Sequence, residues 1–236
     1  TWQSATEIQI ASPYQPIQGS WHVSCAAQTT CVATGSVGAS SGDVAAAASE
    51  ADGGWGEASA VSSTPGAEIN AISCSQSACV AVGDEGATGA TTPVTFNELN
   101  GTWNEKAVST APVGGGAATL AAISCVSAGN CAAAGDVTTG TGAFALAEED
   151  GAWTNAINVP VKSARALSYV GVTGISCTSL LSCVAVGYVG TDVNQLQGVA
   201  WTSSRAPRHT IECRRGSHVR KVTAVDPRCP SGYRKS

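Results

Sequence analysis

The chain of 236 residues has no methionine and only two phenylalanines, and charged residues make up just 12% of it. Basic residues are scarcer still over most of its length: residues 1 to 203 hold Lys106, Lys162 and Arg165 against 15 acids, a balance of −12. So acidic a surface repels phosphate, which argues against a nucleic-acid partner or an anionic membrane for this region. A single arginine there also argues against sialidase chemistry, in which several guanidinium forks converge on one carboxylate. No run of about 18 apolar residues occurs, so no transmembrane helix is expected. No segment carries the 3.6-residue period of an amphipathic helix, and no D-x-D-x-D-G calcium loop is present. The sequence starts at Thr1, so any secretory signal is expected to have been removed or to lie outside it.

Glycine, with 27 residues, and cysteine, with ten, are plentiful. One phrase occurs four times: VSCAAQTTCVATG ending at Gly35, ISCSQSACVAVG at Gly83, ISCVSAGNCAAAG at Gly135 and ISCTSLLSCVAVG at Gly187. The leading cysteines, Cys25, Cys74, Cys125 and Cys177, recur at intervals of 49, 51 and 52 residues, a period in the range of propeller blades. Each has a partner close behind it, Cys31, Cys79, Cys131 and Cys183, while Cys213 and Cys229 form a fifth pair near the end. Five disulfides in an oxidising compartment are expected. The rival reading, metal binding, lacks the usual zinc-ligand spacing, and no histidine lies within the four repeat cysteine pairs. Each short loop would gain about 2 kcal/mol from its bridge, a local staple on one turn.

Within residues 69 to 110 the turn signals separate four short strands, NAISC, CVAVG, PVTFNEL and TWNEKAV. Asn100-Gly101, Asp150-Gly151 and the Asp52-Gly53-Gly54 cluster favour type I′ hairpins, and Trp103, Trp153 and Trp55 follow them in equivalent places. Trp201 belongs one strand earlier, in QGVAWTSS, which leaves the fourth repeat without its outer strand. The opening TWQSATEIQI reads like that missing strand, because Trp2 precedes Cys25 as Trp103 and Trp153 precede the next leading cysteine. The expected fold is therefore all-β. Residues 1–203 form a four-bladed β-propeller, with repeats at approximately 21–65, 66–115, 116–170 and 171–203 and the last blade completed by the N-terminal strand 1–10. The same strand could instead be donated to a neighbouring copy. Residues 204–236 carry nine basic groups against two acids and form a small disulfide-stapled tail after a linker-like SSRAPRH.

The phrase I-S-C, a short turn, C-V-A-V-G and a downstream G-x-W resembles a repeat of secreted and cell-surface β-propeller proteins of actinobacteria, over Thr1 to about Ser203. The resemblance implies a blade per repeat and an extracellular location, and assigns no activity. EEDGAWT, residues 148 to 154, also looks like a degenerate Asp-box of sialidase-type propellers. The tail, ending in C-P-x-G-Y and a few residues more, resembles a short basic module that ends many actinobacterial surface proteins.

No catalytic, cofactor or metal site is assigned. A Ser-His-Asp relay needs a histidine in the repeats, and His22 is the one candidate there. Paired carboxylates for glycoside hydrolysis could come from Asp84-Glu85 or from Glu148-Glu149-Asp150, both in turn regions where acids serve solubility and turn geometry. Asn100-Gly101-Thr102 matches a glycosylation sequon but is explained by its turn. The in-register tryptophans suit packing between blades, whereas Trp21, Tyr14, Tyr169 and Tyr188 break the repeat and are better ligand candidates. Arg214, Arg215, Arg220 and Lys221 make the tail a candidate for contact with anionic wall polymers or with the acidic body of another copy. The expectation is a non-catalytic interaction or structural module, secreted or on the cell surface, binding a surface glycan, a protein or other copies of itself. The alternative is a secreted glycan-acting hydrolase using loop carboxylates.

Overall fold

The computed structural model describes residues 5–27, 30–76, 78–86, 90–110, 114, 116–138, 142–161, 167–204, 209–216, 218–224 and 228–235. Trp2, Lys162, Arg165 and most of the linker before the tail lie outside the described residues. The chain divides into two compact units, Thr1–Thr202 and Ser203–Ser236. Among the described residues there is no helix, and the named strands pair antiparallel in five sheets.

Each copy of the cysteine phrase builds the inner hairpin of one sheet. Sheet 1 runs β1 (His22–Ala27), β2 (Thr30–Ala39), β3 (Gly42–Ala51), then β4 (Gly54–Trp55), with β5 (Ser59–Ala60) also on β3. Sheet 2 runs β6 (Glu68–Ser75), β7 (Ala78–Glu85), β8 (Thr92–Leu99), β9 (Thr102–Ala107). Sheet 3 repeats this with β10 (Ala118–Ser127), β11 (Asn130–Val137), β12 (Ala143–Glu149), β13 (Ala152–Trp153) and β14 (Ile157–Val159). Sheet 4 has three strands, β15 (Tyr169–Ser179), β16 (Ser182–Gly190) and β17 (Leu196–Ser204), and Trp201 lies on β17 as expected.

The turn chemistry explains the meander. Asp52, Asn100 and Asp150, each followed by a glycine, have φ of 53°, 53° and 51°, and their glycines 83°, 80° and 81°, the two left-handed residues a type I′ turn requires. In each inner hairpin the two cysteines are direct cross-strand partners with Cα atoms 3.9 to 4.0 Å apart, so the bridge staples a register the turn has already set.

The glycine that closes the phrase has a steric reason. In sheets 2, 3 and 4 the inner strand is irregular opposite it, with register slips between Ile69 and Ala71, Leu120 and Ala122, and Val172 and Gly174. A Cβ on Gly83, Gly135 or Gly187 would lie 1.9, 1.9 or 2.0 Å from the carbonyl oxygen of Glu68, Thr119 or Gly171. Only glycine admits such a bulge.

Successive sheets stack face to face. Phe96 on β8 meets Ala45 of sheet 1, and Phe144 on β12 meets Val80 and Val82 of sheet 2. Val199 and Trp201 of sheet 4 pack with Ala134, Ala143 and Ala145 of sheet 3. Large residues thus sit on small ones, and both phenylalanines are 0% exposed, each gaining about 2 to 3 kcal/mol from burial. A hydrogen-bond ladder runs through the same contacts. Ser24 Oγ accepts from the Cys74 amide at 2.9 Å, Ser73 Oγ from Cys125 at 3.0 Å and Ser124 Oγ from Cys177 at 3.1 Å.

Two expectations change. The first is that the N-terminal segment completes the last blade. Its described part lies instead on sheet 1: the Ala58 amide donates to Gln9 O at 2.7 Å, the Ala11 amide to Ala58 O at 2.9 Å, and Gln15 and Gly38 exchange bonds of 2.9 and 2.8 Å. There Ile10 and Tyr14 cover Val37, Val44 and Ala46, the last standing opposite Gly35 where sheet 3 has Phe144 opposite Gly135. The reason is proximity, because the segment runs directly into β1 and sheet 1 would otherwise leave that face bare. Nor is a closed ring formed by the described contacts. They pass from sheet 1 to 2, 2 to 3 and 3 to 4, and β16 keeps Val184 and Val186 44% and 46% exposed.

The tail is a separate small sheet in the order β19 (His218–Ala224), β18 (His209–Arg215), β20 (Arg234–Lys235), closed by Cys213–Cys229. Cys213 is fully buried, so the bridge supplies the centre that so few residues cannot otherwise build.

Candidate functional site

The segment that covers sheet 1 also shapes the larger of two clefts beside it. Tyr14 and Trp21 come together in a concavity of about 460 Å³, with Ile10 beneath and Glu7, Gln9 and Ser36 supplying polar groups. Gly35 is what lets the indole lie flat, since a Cβ there would meet the ring at 2.6 Å. Trp21 remains 36% exposed. An aromatic floor with a few convergent polar groups is the usual make-up of a small-molecule or sugar site. Glu7 and Gln9 fall in the opening segment read as a repeat strand, and the sequence offered no signal for them as site residues beyond nearness to Tyr14.

Tyr169 and Tyr188, the other two aromatic candidates, lie on sheet 4 and so apart from this cleft. Tyr188 covers Gly171, its cross-strand partner, where a Cβ would fall 2.3 Å from the phenol ring. The tail cations do not form one patch. Arg214 and Lys221 lie 3.8 and 3.9 Å from Glu212 on one face of the hairpin, whereas Arg215 and Arg220 alternate to the other face.

A second cleft of about 290 Å³ holds His22 with Asp43, Glu68 and Asn70. Among the described residues His22 makes no hydrogen bond to a serine or a carboxylate, so no Ser-His-Asp relay is assembled around it.

The acidic clusters are mostly occupied in joining sheets. Asp84 accepts from Asn70 Nδ2 at 3.0 Å and from the Thr119 hydroxyl, and Asn70 also donates to Leu120 O at 3.0 Å, linking sheets 2 and 3. Asp136, at the matching place in sheet 3, accepts from the Val172 amide of sheet 4 at 3.3 Å. Burial pushes its carboxyl above the usual carboxylate range, Val172 pulls it back, and Asp84 adds to the rise. Glu148 is 1% exposed and accepts from Asn97 Nδ2 at 2.9 Å; burial raises its pKa too, against that bond and Lys106. Glu105, held by Ser62 Oγ at 2.6 Å, is raised by burial and then by the neighbouring Glu85. None of these acids lines either cleft. Asn70 and Thr119 went unnoticed in the sequence because the repeat lacks them elsewhere.

No protein-family model matches the chain, and no curated protein matches it either. The reading of this site therefore rests on its geometry.

Proposed function

We propose that the chain is a non-catalytic extracellular module whose four sheets are blade-like units in an open, propeller-like stack, and that it holds an uncharged stretch of surface glycan in the Tyr14–Trp21 cleft. The convergence of those two aromatics carries the reading: a sugar ring presents an apolar face to an indole while its hydroxyls reach Glu7, Gln9 and Ser36. Five disulfides favour an oxidising environment and so a secreted or surface-displayed protein. The resemblance of the repeat to actinobacterial surface propellers points the same way. Titrating the protein with soluble cell-wall and capsular oligosaccharides, followed by tryptophan fluorescence, tests this. Binding that weakens at least tenfold in Trp21→Ala and stays unchanged in Tyr169→Ala is expected; a wild-type protein indifferent to every glycan would sink the proposal.

A further inference from the structure

The three contacts between sheets all use the same side of the leading sheet. Val32 and Thr34 of β2, Val80 and Val82 of β7 and Ala132 and Ala134 of β11 point that way, and none is more than 8% exposed. The matching residues of β16 are Val184 and Val186, at 44% and 46%, with Tyr188 beyond them at 37%. Cross-strand pairing adds Ser176, Gly174 and Gly171 of β15 to this face. Val199 and Trp201 of β17 turn inward to sheet 3, so Gly198 and Ala200 alternate outward. Ser176 is the fourth rung of the serine ladder, exposed and without a next sheet's amide.

We propose that this face is a homodimer interface, in which two copies of the chain stack sheet 4 on sheet 4 about a two-fold axis. Three observations select that occupant. First, the face bears no charged side chain, whereas residues 1–203 carry a net −12, so it is a surface on which two copies meet without like-charge repulsion. Second, the opposite end of the stack is already covered by Ile10 and Tyr14, which leaves each copy one open end. Open ends of one kind pair isologously, and the assembly stops at two instead of growing into a filament. Third, the area fits a weak association. Three strands about 4.8 Å apart and about 30 Å long give a footprint of roughly 400 Å² per copy. Two copies thus cover roughly 800 Å² in all, at the low end where transient contacts lie and below the ~1,000 Å² of stable specific interfaces. The dimer is accordingly weak and concentration-dependent, with a dissociation constant in the micromolar range. The inference does not depend on glycan binding, because the cleft and this face share no residue.

The test uses light scattering on the full, non-reduced chain over a dilution series, with Val186→Asp and Val186→Lys, whose far-ultraviolet circular dichroism and melting report that the fold is kept. Val186 lies mid-strand on the central strand of the sheet, near the expected axis. The wild type should show twice the 23.4 kDa chain mass when concentrated and the single mass when dilute. Each variant alone should stay monomeric, and an equimolar mixture of the two should recover dimer because the axis brings the introduced aspartate of one copy beside the introduced lysine of the other. A wild type monomeric at every concentration, a dimer untouched by Val186→Asp, or a mixture that stays monomeric each overturns the proposal. A mass ladder beyond two overturns it as well, in favour of head-to-tail contact with sheet 1.

Discussion

Gly83, Gly135 and Gly187 recur because a carbonyl oxygen of the neighbouring strand occupies the place of their Cβ, and that makes them sharper probes of the fold than the bulkier core. Gly135→Ala must push Thr119 O and the backbone behind it away, so a loss of about 3 kcal/mol, in the range of core overpacking, is expected in urea unfolding. Gly19→Ala, with nothing within 4 Å of its Cβ, should stay within about 0.5 kcal/mol of wild type. Equal effects would mean that the bulge relaxes. The serine ladder gives a second contrast. Ser73→Ala leaves the Cys125 amide without its acceptor and should cost about 1 kcal/mol, whereas Ser176→Ala removes no bond within one copy and should be neutral in the dilute monomer. The recurrence of these residues was legible in the sequence. Their reason was not, because neither the bulge nor the ladder leaves any mark except in the approach of a second strand or sheet.

At the scale of the element, local chemistry was the readable part. Asn100-Gly101 and its two counterparts dictate left-handed turns whatever surrounds them, and close cysteine pairs fix their own hairpins, so strands and disulfides follow from the residues alone. The N-terminal segment shows the limit. Its likeness to GTWNEKAV says what kind of edge it can join and nothing about which edge is near, and its described part settles on sheet 1 from Gln9 onward. The Tyr14–Trp21 cleft was half legible for the same reason: repeat-breaking aromatics stood out, and their meeting required that fold-back. The staples themselves should act locally. Replacing Cys125 and Cys131 together by serine should cost about 2 kcal/mol, the loop-closure value for so short a loop, plus a cavity contribution because Cys131 is 0% exposed. A variant that fails to fold at all would show instead that the bridge sets the register and does not merely staple it.

Across the whole molecule the acids, which together give residues 1–203 their −12, divide between an outer, solvated set and an inner set at the contacts between sheets. Glu105, Asp136 and Glu148 belong to the inner set, and burial raises all three above their ordinary carboxylate values. The folded state therefore binds protons more tightly than the unfolded chain, whose carboxyls titrate near pH 4. Stability from these groups is fully present below about pH 4 and falls as pH rises through the raised folded values, beyond which the loss is constant. Repulsion among the outer acids has the same sign, but it is screened by salt while the buried groups are not. Melting temperature measured from pH 4 to 8 in about 0.5 M salt should therefore still decline. Glu148→Gln keeps an acceptor for Asn97 and removes one titrating group, so its decline should be shallower and its melting temperature above wild type at pH 8. Parallel curves for the two proteins would place the pH dependence on the surface and remove Glu148 from the account. A melting temperature that climbs with pH would mean that these carboxylates are better solvated between the sheets than in water, and the packing of sheet 2 on sheet 3 around Asn97 and Glu148 would have to be looser than the 2.9 Å contact implies.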